Sequence, residues 1–436
     1  MQRVVKFITL GCKVNQYETN AMAQKFLEKG YKVIEEYEQN GEKPDICIIN
    51  TCTVTNMSDR KSRQMLRREK ENNKNVIVVA VGCYAQVAKN ELNKIPEIDL
   101  VLGNNEKVNI VKYVEDYINE NENNIEIEDV IQSRLFSDFG DITFTEKTRA
   151  VVKIQDGCDR FCSYCIIPYA RGRVRSRNPE SIISEITKIA EKDIKEVVIT
   201  GIHIASYGKD FKEEYKLIDL LEEINKIDGI ERIRLGSIEP LLITDEFVER
   251  LKKLDKICHH FHLSLQSGCD ETLKRMNRRY TTEQFKEIVK RLRNTYSDVN
   301  LTTDIIVGFP GETEEEFEKT YKFLDEIKFY KMHIFKYSQR KGTKAAVMQN
   351  QIPGDIKELR SRRLIELSNK NEFEINQKYI GKKVEVLFEE EKEGVFKGHT
   401  ANYILVYCND EKENLSNKIQ EVECIQNLND HILAKC

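Results

Sequence analysis

Three cysteines, Cys158, Cys162 and Cys165, stand at Cys-x3-Cys-x2-Cys spacing in QDGCDRFCSYCIIPYARG, directly after the strand-like run AVVKIQ. No other feature constrains the chain as much. Three thiolates on one loop can each ligate one iron of a cubane. The fourth iron is then left without a protein ligand and can chelate the amino and carboxylate groups of a substrate. Gly157 permits a tight approach, and Phe161 and Tyr164 would shield the cluster from water. The alternative is a zinc knot, but structural zinc takes four protein ligands and no fourth Cys or His lies nearby.

The chain has 12 cysteines in 436 residues. The apolar run in MQRVVKFITL is too short for a signal peptide, and no stretch reaches membrane-spanning length, so the expected compartment is the cytoplasm. In that reducing setting metal ligation or catalysis is a better expectation for the cysteines than disulfides. With only 7 His, a His-based metal enzyme is disfavoured. The formal charge of -4 excludes a whole-surface grip on nucleic acid, so any such binding has to rest on local basic patches.

Hydrophobic periodicity divides the chain. Residues 1–118 alternate strand-like runs (3–10, 45–50, 76–81 and 98–102) with helical segments, which predicts an open, mostly parallel α/β sheet. Residues 119–144 are polar and acidic and read as a linker or loose crossing. A core over 145–372 repeats the strand–helix unit six times, which predicts a partial (β/α)6 barrel rather than a closed eight-stranded one. Residues 373–436 turn to period two in their five short strands, which predicts a small β-barrel of a shape often used on nucleic acid.

Cys12, Cys52 and Cys83 are far apart in sequence, yet each directly follows an expected strand: FITLGC, CIINTC and VVAVGC. Consecutive C-terminal strand ends of an open α/β sheet line one crevice. Three cysteines converging there would suit a second cubane with an open iron. Gly11, Thr51 and Gly82 beside them leave room for a bulky ligand. Chance placement of small apolar residues is the competing reading. Cys47, inside DICIIN, illustrates it; Cys258, Cys269, Cys408, Cys424 and Cys436 have no ligand-like spacing.

The first motif, on the first strand of a six-unit core, resembles the radical S-adenosylmethionine superfamily over roughly residues 145–370. That resemblance implies cofactor anchors at strand C-terminal ends: Thr200 and Gly201; Ser237 and Glu239; Gln266 and Ser267; and Val307, Gly308, Gly311 and Glu312. Taken with TLGCKVNQYET, NTCTVT, VGCYAQ and the final β domain, the chain resembles the methylthiotransferase family along its whole length. The family uses two [4Fe–4S] clusters, and the resemblance assigns Cys158, Cys162 and Cys165 to the radical-generating one. Cys12, Cys52 and Cys83 then hold the auxiliary one that delivers sulfur. One S-adenosylmethionine would donate a methyl group and another would supply the radical, so no protein side chain is expected to act as the catalyst itself. TGIHIASYGKD and TLGCKVNQYE are similar to the branch that modifies N6-threonylcarbamoyladenosine at position 37 of tRNA, at C2. Other branches act on isopentenyladenosine in tRNA or on an aspartate of a ribosomal protein. The last domain resembles the TRAM module, an RNA-binding barrel. The implied partners are tRNA and a reduced flavodoxin or ferredoxin-type electron donor, with no membrane and a monomeric chain. A reading of another class is a non-enzymatic iron–sulfur RNA-binding protein.

Arg171, Arg173, Arg175 and Arg177 recur at period two in YARGRVRSRNP. In an extended segment they project to one face, a cationic strip suited to RNA phosphates. One of them is alternatively a partner of the cofactor carboxylate. Lys274, Arg275, Arg278 and Arg279, and Lys397, His399 and Tyr403, are weaker candidates for RNA contacts.

Overall fold

The computed structural model describes residues 2–34, 43–120, 127–144, 148–409 and 414–435. The first sheet is built by β1 (Val4–Thr9), α1 (Lys13–Glu28), β2 (Lys32–Ile34), β3 (Ile46–Thr51), α2 (Asn56–Asn72) and β4 (Ile77–Gly82). After these come α3 (Cys83–Val87), α4 (Lys89–Leu92), β5 (Leu100–Val101) and α5 (Ile110–Glu120). The strands pair in parallel in the order β2-β1-β3-β4-β5. Runs such as IIN and VVAV are buried on both faces, as a helix-covered parallel sheet requires. The order reverses direction between β1 and β3, and such a switch point opens a crevice at the carboxyl ends of the strands. Strand β2, absent from the sequence reading, is a three-residue edge strand whose pattern is too short to register.

Residues 127–144 carry no helix or strand. They are not a loose crossing, however. Val130, Phe139 and Ile142 are buried, and Asp138 and Asp141 pair with Arg177 and Lys188. Apolar anchors spaced along an acidic segment supply packing that composition conceals. Residues 121–126 of that expected linker lie outside the described residues.

The central unit comprises β6 (Arg149–Asp156), α6 (Ile167–Arg171), β7 (Arg175–Ser176), α7 (Pro179–Ala190), β8 (Glu196–Gly201), α8 (Leu217–Ile224), β9 (Arg232–Leu235) and β10 (Ser237–Ile238). It continues through α9 (Asp245–Leu251), β11 (His260–Leu263), α10 (Asp270–Arg275), α11 (Thr282–Thr295), β12 (Asn300–Val307), α12 (Glu314–Ile327), β13 (Lys331–Lys336) and α13 (Gly354–Gln377). Strands β6, β8, β9, β11, β12 and β13 are the six expected parallel strands, arranged in two four-stranded sheets joined by a bridge between Ile233 and Ile257. Alternation sorts their side chains. Val152, Ile154, Val197, Ile199, Phe261 and Leu263 join the apolar layer under the helices. The opposite face carries Arg149, Lys153, Glu196, Arg232, Arg234, His260, His262, Thr302, Asp304 and His333. A packed barrel fills its interior with branched apolar residues. This lumen is ionic instead, which suits a site rather than a core.

Strands β14 (Lys383–Lys392), β15 (Val395–Thr400), β16 (Leu405–Asn409), β17 (Ile419–Asn427) and β18 (Ile432–Lys435) close into a five-stranded barrel. The boundary expected at residue 372 falls inside α13, which continues to Gln377 because its apolar face stays packed past that point. The turn between β15 and β16 plugs the floor of the lumen. Arg232 donates to the carbonyls of His399 and Glu385, Arg234 to those of Thr400 and Ala401, and Asn300 to that of Asn402. Tyr403 stands between two imidazoles, with ring centroids 4.4 Å from His260 and 4.8 Å from His399. His399 and Tyr403 are therefore joints between the two units rather than RNA contacts, and Lys397 is ion-paired with Glu390. Among the described residues no helix is long and apolar enough to cross a membrane.

Candidate functional site

The loop from β6 to α6 is held in an unusual path by the groups around it. Gly157 takes a φ of +71°, and a Cβ there would lie 1.8 Å from the Arg173 carbonyl oxygen. The Cys158 amide donates to the Gly172 carbonyl at 3.0 Å, and the Ser163 amide and hydroxyl donate to the carbonyls of Met276 and Arg275. Asn277 donates to the Phe161 carbonyl. The three thiols converge. Burial pushes Cys158 up to about 11, with the neighbouring Cys162 adding to it. Burial pushes Cys165 up to about 12, with Cys162 and Cys158 adding to it. Mutually opposed thiols in a desolvated loop are held protonated unless cations replace the protons, and that donor set fits iron. Phe161 packs edge-on against Tyr169 and Tyr164 against Phe309, so rings cover the loop. Arg278 faces Cys162, its Nη1 3.6 Å from Sγ, and is itself bound to Glu239 at 2.8 Å.

Cys12, Cys52 and Cys83 follow β1, β3 and β4, which are adjacent in the sheet. Their convergence is visible at Gly11, where a Cβ would sit 2.9 Å from the Cys52 Cβ and 3.0 Å from its sulfur. Burial pushes the Cys52 thiol up to about 11, and Cys83 and Cys12 both oppose its ionisation. This donor set also fits an iron cluster: three thiols from adjacent strand ends lie close enough to oppose one another's ionisation at a switch point, and Cys12 is exposed. Cys47 is fully buried core, as expected. Cys258, Cys269, Cys408 and Cys424 are buried; Cys436 lies outside the described residues.

The cationic strip expected from YARGRVRSR does not form. Arg171, Arg175 and Arg177 are among the largest fully buried side chains, and only Arg173 is exposed. The segment bends through α6 and β7, and the acids facing it come from distant parts of the chain. Arg171 donates to Glu18, Asp156 and the Asn15 carbonyl oxygen of the side chain, and its Nε donates to the Cys83 sulfur at 3.2 Å. Lys107 and Lys153 meet the same Glu18. Arg175 donates to the Arg171 main-chain carbonyl, and Arg177 pairs with Glu185 and Asp138. Arg171 thus ties α6, just after the first thiol loop, to the second trio. Arg173 lies over the Phe161 ring at 4.8 Å. Of the second basic group, Arg275 pairs with Glu316, and Arg278 is committed to Glu239. Lys274 and Arg279 stay exposed.

The proposed cofactor anchors all lie at the carboxyl ends of β8 to β12, but their side chains do not all face inward. Thr200 and Gly201 end β8, and Ser237 is exposed. Glu239 is buried between Arg278 and His203. Gln266, at a φ of +72°, lines a cavity of about 210 Å³ together with Cys165, Tyr164, Val54, Thr55 and Asp304. The Ser267 hydroxyl is spent on Thr320 and Val307 is core, so only their backbones can serve a ligand. Gly308 and Gly311 make a turn in which Glu312 accepts from the Gly308 amide and from Arg360. The 210 Å³ cavity has Val54 and Thr55, the residues just beyond Cys52, on one wall and Cys165 on the other.

Lys13, the first residue of α1, was not singled out by the sequence reading. It follows Cys12 and has no ion-pair partner among the described residues; though solvent reaches the side chain, its amine extends into the lumen toward Arg149, Arg234 and His260. Its amine lies in the field of the lumen cations. Desolvation, followed by Arg149 and Arg234, lowers it to about 8 despite Glu196 nearby.

Residues 152–324 match the family model described as the radical SAM superfamily, and residues 4–103 match an uncharacterized protein family, UPF0004. The chain is 43% identical over 92% of its length to Threonylcarbamoyladenosine tRNA methylthiotransferase MtaB of Bacillus subtilis, covering 89% of that protein. It is 42% identical to the protein of the same name from Aquifex aeolicus, covering 92% of this chain and 95% of that one. It is 37% identical to tRNA-2-methylthio-N(6)-dimethylallyladenosine synthase of Clostridium botulinum, over 87% of this chain and 85% of that one. Among solved structures, the radical S-adenosylmethionine methyltransferase TsrM of Kitasatospora setae shares the fold. Its TM-score is 0.59 at 16% identity, over 80% of this chain and 77% of that one.

Proposed function

The chain belongs to the radical S-adenosylmethionine methylthiotransferases of tRNA, and from that membership we propose that it converts N6-threonylcarbamoyladenosine at position 37 of tRNA to the 2-methylthio derivative. One observation carries the reading: Arg171, on the helix just after the Cys158–Cys165 loop, donates to the Cys83 sulfur of the second trio, and one cavity is lined by Cys165 and by Val54 and Thr55 just beyond Cys52. Cys158, Cys162 and Cys165 would hold one [4Fe–4S] cluster and Cys12, Cys52 and Cys83 the other. When bound, the clusters and S-adenosylmethionine supply the radical, the sulfur and the methyl group.

The protein's own contributions follow from its side chains. Arg171 donates to the Cys83 sulfur and Arg278 faces that of Cys162, so each stabilises a thiolate. Phe161, Tyr164 and Tyr169 keep water from the radical loop. Thr200, Gly201, Ser237, Glu239, Gln266 and the backbones of Ser267, Val307, Gly308 and Gly311 are the rim on which S-adenosylmethionine would rest. The threonylcarbamoyl group bears a carboxylate, whereas the dimethylallyl group of the alternative substrate is apolar. An ionic lumen into which Lys13 extends, with no ion-pair partner among the described residues, favours the former. We assign the 1–118 unit to the sulfur-delivering cluster and the central unit to the radical. We place the chain in the cytoplasm as a monomer, with a reduced flavodoxin or ferredoxin-type donor.

Nucleoside mass spectrometry of tRNA from cells with and without the gene tests the reading. Loss of the 2-methylthio form with accumulation of its unthiolated precursor is expected. An unchanged profile removes it.

A further inference from the structure

Three donors stand together inside the central barrel and take no part in either thiol trio. His262, Asp304 and His333 come from β11, β12 and β13, three neighbouring parallel strands. Their ligand atoms all lie within 4.8 Å of one another. Asp304 presents one oxygen to each imidazole: Oδ2 lies 3.2 Å from His262 Nε2 and Oδ1 lies 3.2 Å from His333 Nδ1. The register fixes this arrangement. Asp304 is directly opposite His333 in the β12–β13 ladder, and His262 is directly opposite Thr302, two residues before Asp304 on the same face.

We propose that His262, Asp304 and His333 bind one divalent transition-metal ion, with at least one coordination position left open toward the cavity beside Cys165. Donors held at about 2.0–2.1 Å from a common zinc-like ion lie roughly 3–4 Å apart; each imidazole already stands 3.2 Å from an Asp304 oxygen, and all three donors lie within 4.8 Å of one another. His262 Nε2 is buried and makes no hydrogen bond of acceptable geometry although a carboxylate oxygen faces it. A buried ring nitrogen without a partner is a cost that a metal removes. The ring is oriented for ligation through Nε2 by its other nitrogen: His262 Nδ1 is 3.0 Å from the Thr302 hydroxyl, the outer contact that metal-bound histidines use to fix their tautomer. Two histidines and one carboxylate form a set suited to zinc or ferrous iron, and it leaves room for exogenous oxygen donors. Because Asp304 also lines the 210 Å³ cavity, an oxygen-bearing group entering there would meet the ion.

The site is tested on the iron-loaded full chain with zinc as the probe. After exposure to zinc and removal of the unbound metal, elemental analysis is expected to find one zinc per chain. Zinc K-edge absorption should show a nitrogen/oxygen shell at about 2.0 Å without sulfur. Asp304→Asn and His262→Ala should each weaken binding at least tenfold in competition with a chelator. His333→Ala, at the more exposed position, provides a variant whose folding is least disturbed and should do the same with cluster iron unchanged. If as-purified wild-type chain carries iron beyond that of the clusters and His333→Ala does not, the resident ion is ferrous. Sulfur scattering in the zinc shell, or zinc binding equal in His333→Ala and the wild type, would overturn the proposal.

Discussion

Arg171 and Arg173 are two residues apart and have nothing in common energetically. Arg171 is fully buried, where it offsets Glu18 and Asp156 and donates to a sulfur. Removing one member of a buried charge group leaves the others desolvated and unpaired, which costs about 3–5 kcal/mol. Arg171→Met should therefore lower the urea-unfolding free energy by that amount or abolish soluble expression. Arg173→Ala, at an exposed position beside Asp159, should change it by less than about 0.5 kcal/mol. Lys13 supports a prediction of function. Its amine is lowered to about 8, so in the free enzyme the ammonium is lost as pH rises through that value. Affinity for a carboxylate-bearing tRNA should then fall between about pH 7 and pH 9, visible as a rising KM. Lys13→Arg, charged throughout that window, should flatten the profile, and Lys13→Ala should raise KM at pH 7 while iron content stays the same. In the sequence the first trio is marked by its spacing on one loop and the second by each cysteine directly following a strand, and the structure places all three of those strand ends side by side. The burial of three arginines was not legible, since period two says which residues share a face but not whether acids from residues 18, 138, 156 and 185 cover it.

Among elements, the six parallel strands and the five of the closed barrel were readable from periodicity, whereas the three-residue β2 and the packing of residues 127–144 were not. The stretch TGIHIASYGKD acts here as a clasp. Asp210 accepts from the amide and hydroxyl of Ser176, and the Tyr207 hydroxyl donates to the Arg177 carbonyl. It thereby holds β7, and with it the Arg175 and Arg177 side chains, against the central sheet. The β15–β16 turn is the second clasp. Tyr403 adopts a φ of +75° there, a strained conformation for a bulky residue, kept by its stacking between imidazoles and by Arg149 and Arg234 above its ring. Tyr403→Ala should destabilise the chain by about 3 kcal/mol or more, read as a fall in the denaturation midpoint. Amide exchange in β9 and β11 should accelerate with it.

At the scale of the whole molecule the reading requires two clusters, so the reconstituted chain should hold about eight irons. Replacing Cys158, Cys162 and Cys165 with Ala should leave about four, as should replacing Cys12, Cys52 and Cys83. If either triple variant retained all eight, one cluster would have been assigned to the wrong residues. The position of helix α1 was hidden from the sequence because it depends on contacts more than a hundred residues away. Tyr17 reaches Glu185, and Glu18 reaches Lys153 and Arg171.

The stopper formed by Thr400 to Tyr403 gives the barrel a dead end. Traffic cannot pass through that floor and has to enter and leave from the opposite end, where the cavity beside Cys165 lies. A nucleobase built into a folded RNA loop cannot thread through such a pouch. It has to swing out of its stack, reach in from the side, and withdraw before the chamber can be recharged.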